Sequence, residues 1–194
     1  MSAIAKPQVA HAWVALRAED PEAASAFGVA RERLEAAGRL EALRRFRVFE
    51  LRGALLEGPE LENLLHRSTQ FYNPSKERCV VRRDADAASP VDGAEAVALV
   101  VERGGDRRSA AERWWRHETG SRIEVREGVA WVMRFEAGAD ATALANELTV
   151  AKDRRTGLFC NPHAQAADVV TGPPPLDRWP GARRASAGRG GSST

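Results

Sequence analysis

The chain has few of the residues that build disulfide scaffolds, metal centres or membrane spans. Its two cysteines, Cys79 and Cys160, stand far apart, and neither has a second cysteine or a histidine at ligand spacing. A disulfide framework and a zinc site are therefore not suggested, and a reduced, cytoplasmic setting is expected. No run approaches the roughly 18 apolar residues of a membrane span, and Met1 to Val9 has no apolar core of a secretion signal. Only three of the 29 basic residues are Lys, and the net charge is +2. That balance is too small to argue for nucleic acid, and the excess of Arg reads as compositional bias in an Ala-rich chain.

Signs of catalytic chemistry are equally sparse. His11, His66, His117 and His163 are isolated, with no His-Glu pair on one helical face, no Gly-X-Ser-X-Gly turn and no phosphate loop. No catalytic residue, metal or cofactor is expected. Cys160 stands beside Asn161 and His163, but a thiolate needs a placed base and an electropositive pocket, so a small buried hydrophobe is the simpler reading. Trp114 and Trp115 are adjacent, and neighbouring helical positions point about 100° apart. One is expected in the core and the other on a solvated edge, with a protein interface anchored by that second Trp as the competing reading.

What the chain does contain is a repeat. Thr69-Gln70-Phe71-Tyr72-Asn73-Pro74 and Leu158-Phe159-Cys160-Asn161-Pro162-His163 place Asn73 and Asn161 88 residues apart, each behind an aromatic and before a strand-like segment. Asn tolerates the left-handed conformation that ends helices and Pro cannot continue one, so each motif reads as a helix stop with an apolar anchor. Self-similarity of this kind marks a duplicated unit.

The first half reads as a strand at His11–Leu16, a helix from Pro21 capped by Asp20 to about Ala37, and an alternating strand at Phe46–Arg52 covered on one face. A short helix with Leu61, Leu64 and Leu65 inward and a strand at Cys79–Val81 complete it. Residues 84–93 are acidic and small and read as a linker between unit 1 (1–83) and unit 2 (94–171). Unit 2 repeats the order: a strand at Ala96–Val101, a helix from Arg107 to Glu118 capped by Asp106, a strand at Arg122–Arg126, a hairpin turn at Glu127-Gly128, and its partner strand Val129–Phe135. A helix from about Asp140 to Asp153 and a strand at Ala167–Val170 follow. The fold class is α+β: two ferredoxin-like βαββαβ units, each an antiparallel sheet covered on one face by two helices. Residues 172–194, rich in Pro, Gly and Arg, are expected to be disordered.

The run Ser121–Gly128, the strand Trp131–Phe135 and the helix leading to Gly157-Leu158-Phe159-Cys160-Asn161-Pro162 resemble the small PurS subunit of phosphoribosylformylglycinamidine synthase. Phe46–Leu51 and Phe71-Tyr72-Asn73-Pro74 resemble it more loosely. The family's turn after the first strand is only echoed by Glu19-Asp20-Pro21-Glu22, and in the second half by Asp106. The resemblance implies a non-catalytic assembly role in purine biosynthesis, holding glutaminase and synthetase subunits together so that ammonia passes between them. A tandem chain would carry the dimer covalently, and a further homo-oligomer is possible. The positions singled out as partner interface are Asn73, Pro74, Asn161, Pro162 and His163 at the two expected helix ends, with Arg122 and Arg126 on the expected hairpin. Two other classes compete. One is a tandem ligand-sensing module. The other is an RNA-binding sheet, which would have to expose Phe46 and Phe49 and which Glu50 disfavours; no nucleic-acid partner is expected.

Overall fold

Continuous apolar runs such as Ala96–Val101 and mixed apolar and charged runs such as Phe46–Arg52 make the strands, and Ala-, Leu- and Trp-bearing runs at spacings of three and four make the helices between them. The computed structural model describes residues 8–153 and 155–181. Residues 182–194, and with them most of the tail expected to be disordered, lie outside the described residues, as do residues 1–7. In chain order the elements are β1 (Gln8–Leu16), α1 (Pro21–Arg33), β2 (Leu40–Gly53), α2 (Gly58–His66), β3 (Glu77–Arg82), β4 (Ala96–Glu102), α3 (Ser109–Thr119), β5 (Ile123–Phe135), α4 (Ala141–Thr149) and β6 (Gln165–Thr171). Asp20 caps α1 by accepting from the Glu22 and Ala23 amides, with Pro21 at the first turn.

All six strands join one antiparallel sheet in the order β3-β1-β2-β5-β4-β6. Each half supplies three adjacent strands, and the halves meet where β2 pairs with β5 along nearly its whole length. The register contains a local two-fold. Val14 pairs with Cys79 on one side and Arg47 on the other, while Val100 pairs with Ala167 and Val129. Arg47 and Val129 are thus equivalent positions, and they pair with each other across the seam.

Four helices cover one face of this sheet, and each hydrophobic cluster beneath them mixes the halves. Leu61, Leu64 and Leu65 of α2 share a cluster with Ala111 and Trp115 of α3, over Phe49, Leu51 and Val125. Ala30 of α1 shares another with Ala145 and Leu148 of α4, over Leu40, Ala98 and Met133. Neither half encloses a core alone.

The second face carries Trp13, Phe46, Val48, Val97, Leu99, Ala130 and Val132, covered by Val91 and Trp179. Two segments lie there as straps. The connection from β3 to β4 brings Val91 onto the face and is tied by Arg44, whose guanidinium donates to the Pro90 carbonyl at 3.0 Å and to the Glu95 carboxylate. The segment Gly172–Gly181 leaves β6 through Gly172, whose amide donates to the Glu95 carbonyl at 2.7 Å, and seats Trp179 at 4 % exposure.

Several expectations are corrected. Residues 172–181 are packed, because Pro174, Trp179 and Pro180 give this Gly-Pro-rich stretch apolar surface to bury. No hairpin forms at Glu127-Gly128: both residues pair with β2, and β5 runs straight through them. Glycine is needed at 128 for closeness, since a Cβ there would lie 2.9 Å from the Val100 carbonyl oxygen. Each half is therefore βαβαβ, with one long central strand where a hairpin was expected. β2 is covered on both faces, because its apolar phase shifts between Val48 and Phe49. The α1 helix stops at Arg33, where Leu34 turns extended and inward, and a 3₁₀ turn spans Glu35–Arg39. Asp106 does not cap α3 but receives the Trp179 indole, and α4 ends at Thr149.

Candidate functional site

The two Asn-Pro motifs build the same turn from the same bonds. The Asn73 side-chain oxygen accepts from the Ser75 amide, its carbonyl accepts from the Lys76 and Glu77 amides, and its own amide donates to the Glu77 carboxylate at 2.7 Å. Asn161 repeats this with the amides of His163, Ala164 and Gln165, its own amide donating to the Gln165 side chain at 2.9 Å. Each turn is tied to the end of the neighbouring strand, through Arg17 to the Lys76 carbonyl and Arg103 to the Ala164 carbonyl. These are Asx turns that start β3 and β6, with proline fixing the second position. They are not helix stops, and no non-glycine residue among those described has a positive φ.

Phe71 and Phe159 are the buried anchors behind the turns. Phe71 packs edge-on to Phe49 at 5.4 Å, and Phe159 stacks on Trp131 at 4.7 Å. Because β3 and β6 run antiparallel on opposite edges, the turns occupy diagonal corners of the sheet. Asn73, Asn161 and His163 are exposed there, with Pro74 and Pro162 partly covered. Arg122 and Arg126 are not with them. Arg122 immediately precedes β5, and Arg126 lies on the second face, bound to Glu124 at 2.6 Å.

Arg126 belongs to a row that the sequence reading missed. Across four strands the register places Arg82, His11, Glu50 and Arg126 side by side on the second face. His11, Glu50 and Arg82 are exposed by only 0 %, 1 % and 2 %. Arg52 donates to Glu50 at 3.0 Å and Arg82 donates to the Pro174 carbonyl at 3.0 Å, while Trp179 lies over the row with its ring 5.9 Å from that of His11. Among the described residues, both His11 nitrogens, one Glu50 oxygen and the Arg82 Nε have no partner. Buried polar atoms are nearly always bonded, so a group of orphans in one row calls for an explanation. The available signal was His11, the single polar residue inside the apolar run Val9–Leu16; Glu50 sits in a strand that also carries five other charged residues and does not stand out.

Burial pushes His11 down to about 4, helped by Arg82 and then Arg52, while the Leu176 backbone acts in the opposite sense without closing a hydrogen bond. The folded protein thus holds His11 neutral where the unfolded chain binds a proton. Stability is unaffected above pH 6.5 and is lost as pH falls from about 6.5 towards 4, by on the order of 3 kcal/mol in total. Urea unfolding at pH 7 and pH 4.5 should show this loss in the wild type, and His11→Leu should reduce the difference between the two pH values. Equal differences in both proteins would remove His11 as the cause.

The thiols are unsuited to nucleophilic work. Burial, and then Glu62, pushes Cys79 up to about 12, and burial raises Cys160, which lies in the interior. An RNA-reading sheet finds no support either: Phe46 and Phe49 are both buried, on opposite faces. No group of three or more His, Cys, Asp or Glu among the described residues is placed to hold a metal ion, and no helix among them is long and apolar enough to cross a membrane. Comparisons with protein-family models, with curated proteins and with solved structures find no match.

Proposed function

We propose that the chain is a non-catalytic assembly subunit of phosphoribosylformylglycinamidine synthase, bridging the synthetase and glutaminase subunits during ammonia transfer. In this reading each half is a ferredoxin-like unit whose two middle strands have merged into one, and the fused pair replaces a dimer of separate small subunits. The observation that carries it is the repetition of one Asx turn at diagonal corners of a single sheet. A rigid body with two similar exposed corners suits the task of holding two partners. The corners are also unequal: Ser75-Lys76-Glu77 stands at one and His163-Ala164-Gln165 at the other. That inequality would let each corner select a different protein.

The test is reconstitution with purified synthetase and a class I glutaminase, with glutamine and ADP present. The expected result is co-elution of all three and glutamine-dependent amidine formation that needs this chain. Replacing Asn161-Pro162-His163 by Ala-Ala-Ala should release one partner and keep the other. Failure of both partners to bind, or turnover of glutamine or ATP by this chain alone, would refute the proposal.

A further inference from the structure

We propose that the Arg82 end of the buried row is a binding site for a small zwitterionic carboxylate of the amino-acid type, closed by the Gly172–Gly181 strap. This goes beyond the assembly reading and needs no partner protein. The groups already in place define the chemistry. Arg82 is a buried guanidinium with no carboxylate partner among the described residues; its one hydrogen bond goes to the Pro174 carbonyl, and its Nε is free. A planar guanidinium with open donors suits a carboxylate. Two strands away, Glu50 gives one oxygen to Arg52 and leaves the other without a donor. Adjacent strands are about 4.8 Å apart, so the two side chains arise roughly 10 Å from each other and can grip the two ends of one short molecule.

His11 stands between them, and neither ring nitrogen has a partner among the described residues. Neutral imidazole offers one donor and one acceptor, which complements a ligand bearing both. Phosphate fits less well, because the free Glu50 oxygen would face a second anion. A ligand with an ammonium group beside its carboxylate satisfies Arg82 and Glu50 together. Every orphaned atom of the row then has a use.

The strap is the cover. It leaves β6 at Gly172, where φ is +75°, and is held over the row by the Arg82 bond to Pro174 and by the Trp179 indole, which donates to Asp106 at 3.0 Å. Entry requires the strap to lift, and a bound carboxylate would compete with the Pro174 carbonyl for Arg82. Trp179 therefore reports on occupancy.

The test uses the full-length protein, with tryptophan fluorescence and melting temperature followed against glycine, L-glutamate, acetate and inorganic phosphate at matched ionic strength. The expected result is a saturable response to glycine or glutamate, weaker for acetate and phosphate, and a fluorescence change absent from Trp179→Phe. Arg82→Gln should weaken half-saturation roughly 10- to 100-fold, the loss of a charge-assisted pair. Glu50→Gln should erase the advantage of glycine over acetate. No saturable response, an equal response in Arg82→Gln, or a preference for phosphate would each overturn the proposal. Should Arg82→Gln fail to fold, Glu50→Gln decides alone: an unchanged preference for glycine over acetate sinks the site.

Discussion

Deleting residues 172–194 is expected to lower the melting temperature markedly, and Trp179→Ala alone should reproduce much of the loss. Trp179 is 4 % exposed and packs against the second-face cluster of Trp13, Phe46 and Leu99. Truncating a buried Trp to Ala typically costs about 3–5 kcal/mol, and for a protein of this size that corresponds to on the order of 6–20 °C. The deletion also uncovers Arg82, His11 and Glu50, whose hydration returns some of that loss. Differential scanning calorimetry of the full chain, the deletion and Trp179→Ala checks it. A deletion that melts within a degree or two of the full chain would mean that the strap contributes no stability.

The second large effect separates two neighbours on α3. Trp115 is 0 % exposed, lies among Phe49, Leu61, Val125 and other core residues, and donates from its indole to the Ser121 hydroxyl at 3.3 Å. Trp115→Ala should cost about 3–5 kcal/mol and leave a protein near the edge of folding. Trp114 is half-buried and meets Phe71 edge-on at 6.0 Å. Trp114→Ala should cost only about 1–2 kcal/mol, the sum of partial burial and one aromatic pair. Urea midpoints of the two variants give the comparison. Trp114→Ala is therefore the variant in which a loss of partner binding can be read without unfolding. Equal destabilisation by both changes would make the pair wholly core.

Much of the framework can be read from residues alone. The strands at Ala96–Val101 and Cys79–Val81, the Leu61, Leu64 and Leu65 face, and the division of the Trp pair all follow from periodicity. The expected features that failed depend on what lies across the sheet. Gly128 carries a turn signal locally, yet a Cβ there would lie 2.9 Å from the Val100 carbonyl oxygen, and only the pairing of β5 with β4 on one side and β2 on the other reveals that. Asn73 and Asn161 signal a turn, but whether an Asn ends a helix or opens a strand depends on the bonds to Glu77 and Gln165. The tail hides its role because a single Trp within a Pro-Gly stretch has no periodicity to show. The buried row is legible only in register, since Arg82, His11, Glu50 and Arg126 are far apart along the chain and become neighbours by pairing.

The seam between β2 and β5 also governs how the molecule comes to be made. It joins Leu40–Gly53 to Ile123–Phe135, segments separated by more than a third of the chain, and both helical clusters close only when that pairing exists. Such distant pairings slow folding, because loop entropy is lost before the contacts that repay it form. During synthesis the first half must wait with an unpaired β2 edge until the second has emerged. At high concentration that edge can accept β5 of another molecule through the same register, so exchange of halves into a swapped dimer is the failure this topology invites.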